Sequence, residues 1–558
     1  MQALISAETG RIKVRDAASC REWLGHLVQE GGDHLAAIER LLRSLAQSRQ
    51  APDLLFEIAE QVRAVHLREL DSRAAGLRGA VFPMPEPCRH MAATVAGALA
   101  QGRDLFARLH TQLQDDSDAP SHTVIPGTTH TLRAILPLVR ALDYQCRLIL
   151  FLQANRMEVV SEEWDLLCTY AAAIRASSFL DVALPDECPL LPSPTARALF
   201  VCPLLSALAG PDGQTEPEHR LVARLARRWA ARVGFRLEPG YLTVSSPNGP
   251  VLGLSTRYSV RLENHKLMRR LQARREEVGT LDAAGAMGLP RGMTLAGTRM
   301  LFDRLGRGWA AGRVQVPLLA SRLGEMRLRF GFPRLEASPG NPPPVRGPEF
   351  RESSGPIGDG RPAVSQSYVY GRFEANSVIR EALGEPPAED LLARWASQAE
   401  RMTWVAIEHE CSYFEREFAA PIALGDLVTL VPPAQVDLPG FFAGDVRAAP
   451  FICGRVVSLS QRLNPDLSLP ARQRIGVAAW SGAPALVAVR GGDDPFFHDA
   501  VLLAAAGEPE TLLLPTGRLT GQPTLTLREP ARDSRLRIDS VVETGIGFQR
   551  VLIHRLES

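Results

Sequence analysis

The sequence predicts an α+β multidomain chain, with helical bundle domains first, then a small antiparallel β-barrel, then further strands at the C-terminus. Three observations carry this. Residues Ala18 to Asp115 repeat apolar side chains every three or four positions, the spacing of one helix face. From Arg401 to Arg490 the apolar and β-branched residues instead come in short runs broken by Gly and Pro, the mark of successive strands. Between these regimes, Glu336 to Pro362 is rich in Pro and Gly and holds too little apolar surface to build a core, so it reads as an insertion or linker.

In the first segment Trp23, Leu24, Leu27, Leu35, Ile38, Leu41, Leu42 and Leu45 line one face, with Glu39, Arg40 and Arg43 on the other. Two more helices are expected over Leu54 to Leu70 and Met91 to Leu113. Their separators, Gln50 to Pro52 and Phe82 to Pro87, stop helices by removing N–H donors and restricting the residue before each proline. An antiparallel bundle over 1–125 is the economical arrangement.

A second helical domain is expected over 126–235. Its long face runs through Leu132, Ile135, Leu138, Val139, Leu142, Cys146, Ile149, Leu150 and Leu152, with Pro137 as a kink or early-turn residue. Ser161 reads as the cap of the next helix, with Glu162 and Glu163 at its positive end. Leu221 to Val233 forms a basic amphipathic helix. A mixed segment over 236–312 follows. Phe235 to Gly249 supplies β-type residues and a Pro-Asn-Gly turn, Val251 to Leu254 a strand, and Val260 to Glu277 and Thr294 to Trp309 two core-facing helices.

Met326-Arg-Leu-Arg-Phe-Gly-Phe332 alternates apolar and basic residues as a half-buried strand does, and opens a barrel expected over 313–490. One further short helix is expected from Leu391 to Met402. The last part, 491–558, reads as strands and turns: Thr511 to Arg518, Thr524 to Arg528, Leu536 to Ile538 and Phe548 to Ile553.

Bulk properties exclude several classes. The 558 residues exceed what one core serves, and 45% hydrophobic with 22% charged content is ordinary for globular protein. A formal charge of +1 exerts no general pull on nucleic acid or anionic membrane. The 8 cysteines are scattered without a CxxC pair, which argues against a disulfide scaffold or zinc ribbon. No leader pattern opens the sequence and no run suits a membrane span, so a reduced cytoplasmic location is expected.

The helix pair around Trp164, the stretch Leu262 to Trp309, Met326 to Phe332, Trp404-Val-Ala-Ile407, Gly425-Asp-Leu-Val428, Arg474-Ile-Gly-Val477 and Leu512 to Arg518 together resemble multidomain proteobacterial proteins with an atypical PilZ barrel. The PilZ family is the cyclic di-GMP receptor family. The resemblance implies an RxxxR segment before the barrel, whose guanidiniums meet phosphates and guanine edges, and a D/NxSxxG strand that lets the backbone come close.

Neither motif is complete. Only Arg322 precedes the first strand, with Arg327 and Arg329 inside it; Arg270 and Arg274 have the spacing but also that of a solvated helix face. Glu410-Cys-Ser412-Tyr-Phe-Glu415 keeps the serine but puts Glu where Gly should admit a dianionic dinucleotide. The expectation is a non-enzymatic signalling or adaptor protein with a degenerate barrel, no resident cofactor, and protein partners as its output. The alternative is a working cyclic di-GMP receptor using Arg322, Arg327, Arg329, Glu410 and Ser412.

Other chemistries have weaker residue support. Glu408-His409-Glu410-Cys411 with Cys453 offers metal-ligand types, but strand alternation sends successive side chains to opposite faces. His498 and Asp499 form a conceivable hydrolase or transferase pair without a nucleophile motif, as does an unrecognised site near His409. The cations of Arg257 to Arg275 lack an interleaved aromatic platform, so no nucleic-acid partner is expected.

Overall fold

The computed structural model describes residues 14–30, 33–115, 129–239, 251–314, 324–330, 400–431, 452–492 and 498–556, less shorter stretches inside these ranges. They divide into two compact units. The first is helical with a small sheet, and the second is all β.

In the first unit α1 (Ala17–Glu30), α2 (His34–Gln47), α3 (Pro52–Gly76) and α4 (Glu86–Asp115) form the expected bundle. The predicted stripe residues Leu35, Ile38, Leu41, Leu42 and Leu45 are all buried. Then come α5 (Thr129–Ala154), α6 (Ser161–Ala176), α7 (Ala196–Leu208) and α8 (Glu216–Trp229). Every α7 residue except Arg197 is buried, which follows from a sequence that is apolar apart from Arg197 and Ser206 and has no polar face to turn outward.

The apolar core runs unbroken from Val14 to Trp309, so the two helical blocks and the mixed segment pack as one body. Long α4 lies along α5, which gives no surface at which to part them.

Strands β1 (Gly234–Pro239), β2 (Val251–Gly253), β3 (Tyr258–Glu263) and β4 (Arg313–Val314) make a sheet in the order β1-β3-β2-β4. Val260 to Glu263 is therefore strand, and the helix expected from Val260 is α9 (His265–Thr280). Cross-strand pairing of Phe235 with Leu262 outweighs the weak helical pattern there. α10 (Leu295–Ala311) closes the unit: Trp309 meets Trp229 edge-on at 6.0 Å and donates through Nε1 to the Leu205 carbonyl at 2.9 Å.

Ser161 does not cap α6. Val160 holds the extended cap position, and the Ser161 hydroxyl turns to Glu162 at 3.3 Å. Helical geometry begins one residue earlier than the serine's preference for caps suggests. Pro137 lies inside α5.

The second unit contains two closed six-stranded barrels. The first joins β5 (Gly324–Phe330), β6 (Glu400–Glu408), β7 (Cys411–Arg416), β8 (Leu427–Val431), β9 (Ile452–Arg462) and β10 (Arg472–Ala479) in the order β10-β7-β6-β5-β8-β9. Met402, expected at the end of a helix, sits in β6 opposite Met326. The linker at Glu336 to Pro362 lies outside the described residues.

The C-terminal strands also close on themselves. β11 (Ala483–Gly491), β12 (His498–Ala504), β13 (Thr511–Pro515), β14 (Thr524–Arg528), β15 (Ser534–Gly545) and β16 (Phe548–Leu556) run β11-β12-β13-β16-β15-β14, with each neighbouring pair antiparallel. Closure removes both sheet edges. Among the described residues no helix is long and apolar enough to cross a membrane.

Candidate functional site

The two barrels share an apolar seam made by Leu427, Cys453, Trp480, Val501, Leu503, Leu513 and Phe548. At its polar side four long side chains meet. Glu543 of β15 accepts from Trp480 Nε1 at 3.1 Å and pairs with Arg455 of β9 at 2.5 Å. Arg550 of β16 lies over the Trp480 ring with its guanidinium carbon 5.5 Å from the centroid and donates to Thr511 at 3.2 Å.

Burial holds the Arg550 pKa below its ordinary value; Arg455 pushes the same way, and Glu543 and Glu508 oppose it. Two guanidiniums and an indole thus surround one carboxylate. Such a set can stack a planar base and bind a phosphate, provided that the carboxylate yields.

The backbone brings the seam together at Gly545. A Cβ there would meet the Phe548 ring at 2.1 Å and the Gly425 carbonyl oxygen at 2.6 Å, and Ile546 donates its N–H to that same oxygen at 3.0 Å. Gly545→Ala is therefore expected to cost about 1–3 kcal/mol by overpacking, measured as a lower melting temperature of the β unit. An unchanged melting curve would mean that the seam opens freely.

The β15–β16 hairpin also leaves apolar groups outside. Bulges on both sides of Ser540 and Val541 rotate the strand, and Val541, Val542 and Ile546 remain 54%, 51% and 46% exposed.

Arg322, Glu410 and His409 lie outside the described residues. Arg327 stands on β5 between Val431 and Arg401, and half-buried Arg329 stands opposite Thr429. Ser412 is fully buried on β7, and its hydroxyl has no hydrogen-bond partner among the described residues. It shares the buried side of β7 with Phe414 and Arg416, whose guanidinium lies 5.5 Å over Phe330. Glu415, on the opposite face, receives Arg474 at 2.7 and 3.1 Å.

Among the described residues no group of His, Cys, Asp and Glu could hold a metal ion. Burial pushes the Cys453 thiol up to about 12, which leaves it a core residue. His498 opens β12 opposite Val489. Arg270 is exposed on α9, and Arg274 pairs with Glu277.

None of Arg455, Trp480, Glu543 and Arg550 stands out in the sequence as a site residue. One signal was present: Ser540 precedes Gly545 by five positions, the separation the PilZ strand motif keeps between its first polar residue and its glycine. Val542 in place of the central serine hides it.

After its helices the chain has a closed six-stranded antiparallel barrel, which is consistent with a PilZ-like barrel. Residues 18–239, from α1 to the end of β1, match the family model described as Cyclic-di-GMP receptor FimW, N-terminal domain. That match leaves both barrels outside it. No curated protein and no solved structure matches the chain.

Proposed function

We propose that the chain is a cyclic di-GMP receptor whose ligand site is the seam between its two barrels. The observation that carries this is the meeting of Arg455 with Glu543 and of Arg550 with Trp480, joined by the Trp480–Glu543 hydrogen bond, beside a backbone approach that only Gly545 permits. The family match at residues 18–239 supports the same signalling role.

In this reading a phosphodiester takes the place of the Glu543 carboxylate on Arg455, and a guanine stacks where Arg550 and the indole lie. The chain acts as a receptor, not a catalyst, so incubated cyclic di-GMP is recovered unchanged by chromatography. Its output is a protein partner, met through the hairpin that carries Val541, Val542 and Ile546. Arg327 and Arg329 are the alternative cations for the ligand.

Titration calorimetry of the full chain with cyclic di-GMP tests the reading. Arg550→Ala is expected to weaken binding at least tenfold, equal to about 1.4 kcal/mol. Glu543→Gln is expected to strengthen it, because it removes the competing charge. If Arg329→Ala abolishes binding and Arg550→Ala does not, the site is on β5 and the seam assignment fails.

A second reading has its own support: Glu543 already neutralises Arg455, as in a barrel that has given up its ligand and serves as an adaptor. Absence of heat from the unaltered chain would select it.

A further inference from the structure

We propose that the exposed face of α8, with the turn that follows it, adsorbs electrostatically to an anionic phospholipid surface. The stretch Arg220-Leu-Val-Ala-Arg224-Leu-Ala-Arg-Arg228-Trp-Ala-Ala-Arg232 holds only arginine and apolar residues. Val222, Leu225, Ala226 and Trp229 turn into the core, and Arg224, Arg227, Arg228 and Arg232 are all exposed. Arg232 lies in the 3-10 turn Ala230–Arg232, which continues α8. Positions three and four apart share one side of a helix, so the four guanidiniums form one row over about 12 Å of chain.

The row has no counter-charge. No Asp or Glu stands three or four positions from any of the four, and among the described residues none of them makes an ion pair or a side-chain hydrogen bond. Exposed arginines elsewhere in the unit are matched: Arg236 with Glu263 at 3.1 Å, Arg257 with Asp165 at 3.9 Å and Arg275 with Asp303 at 2.6 Å. Arg220, at the head of the row, pairs with Glu216. The negative end of the helix accounts for Arg227 and Arg228 in its last turn, but Arg224 comes before that turn and Arg232 after it. The formal charge of +1 hides the row, because carboxylates elsewhere in the chain balance the total.

What the face lacks selects its occupant. It presents no Asn, Gln, Ser or Thr to read base edges or peptide groups, and no exposed aromatic to stack a base or anchor a protein interface. Its other partly exposed residues are Leu221, Ala223 and Ala231. Cations without directional partners are matched by a surface whose negative charge is spread and mobile, as acidic lipid headgroups provide. The apolar side of α8 is engaged in the core, so attachment rests on charge and the helix does not insert. Each such cation strengthens adsorption about fivefold, an effect that fades within about 8 Å in physiological salt.

Flotation of the full chain with vesicles tests this, the vesicles being phosphatidylcholine with or without phosphatidylglycerol. The chain is expected to float with the phosphatidylglycerol vesicles, to stay behind with phosphatidylcholine alone, and to be released as salt is raised. Arg224→Ala with Arg228→Ala is expected to weaken vesicle binding about thirtyfold. Lys266→Ala with Arg270→Ala removes as much charge from the exposed side of α9 and is expected to bind within twofold of the parent. Equal binding to both vesicle types, an α8 variant within twofold of the parent, or an equal loss in the α9 variant overturns the proposal. So does tighter binding to a short DNA duplex than to the vesicles at the same salt, which would make the row a nucleic-acid face. Should the alanine pair melt below the parent, Arg224→Gln with Arg228→Gln is judged by the same limits. Cyclic di-GMP is expected to bind the α8 variant as it binds the parent, so failure here and failure at the seam read out separately.

Discussion

Asp143→Ala is expected to destabilise the helical unit by about 3–5 kcal/mol, the largest single loss foreseen for this chain. Asp143 is 2% exposed on α5 and is the shared counter-ion of two buried arginines. Arg63 of α3, 3% exposed, donates to it, and Arg147, one turn on, lies at 3.2 Å from both carboxylate oxygens. Removing the carboxylate takes the shared counter-charge from two desolvated cations, and Asp71, 3.7 Å from Arg147, is mostly in water.

Thermal or urea unfolding followed by helical circular dichroism measures the loss. The companion replacement Arg63→Met and Arg147→Met with Asp143→Leu is expected to recover much of it, because apolar groups of similar volume need no counter-charge. A loss under about 1 kcal/mol in the single variant would mean that water reaches these arginines and that the network is not a closed one.

The helical unit is also expected to lose stability as pH falls below about 6.5, by up to about 1.4 kcal/mol per unit for each buried neutral histidine. Burial lowers the His66 pKa from 6.5 to about 3, and the ring is fully enclosed between α3 and α5, with Nδ1 2.9 Å from the Tyr144 hydroxyl. The folded chain keeps His66 neutral while the unfolded chain takes up a proton below 6.5. The contribution is therefore fully present above 6.5 and is lost progressively toward pH 3. His219, held down to about 4, acts in the same direction. Glu39, whose carboxyl burial raises from 4.5, acts in the opposite one just above that pH.

Unfolding curves between pH 7.5 and about 4.5 measure the slope. His66→Gln preserves a partner for Tyr144 and cannot titrate, so its slope is expected to be shallower by close to one proton. An identical slope in the variant would show that His66 is solvated or already charged in the folded chain.

Local pattern made much of the architecture legible. The Leu35 to Leu45 stripe and the α7 apolar run each state their burial directly, because helix periodicity depends only on neighbours along the chain. Met326 to Phe330 states a strand for the same reason. The errors fall at junctions. Val260 and Met402 sit in strands because partners distant in sequence, Leu237 and Met326, pair with them. Ser161 has the right residue type for a cap but stands one position inside the helix.

By itself, then, the sequence determined an α+β chain with helices first, one barrel and further strands after, and a site lacking the complete PilZ motifs. The tertiary structure alone decided that the last strands close into a second barrel and that Arg455, Trp480, Glu543 and Arg550 meet at its seam. Barrel closure is a property of pairing between distant strands, such as Thr511 with Leu552 and Ala488 with Arg528, and no local run of residues encodes it. The seam residues come from β9, the turn after β10, β15 and β16, so their chemistry exists only once both barrels have formed.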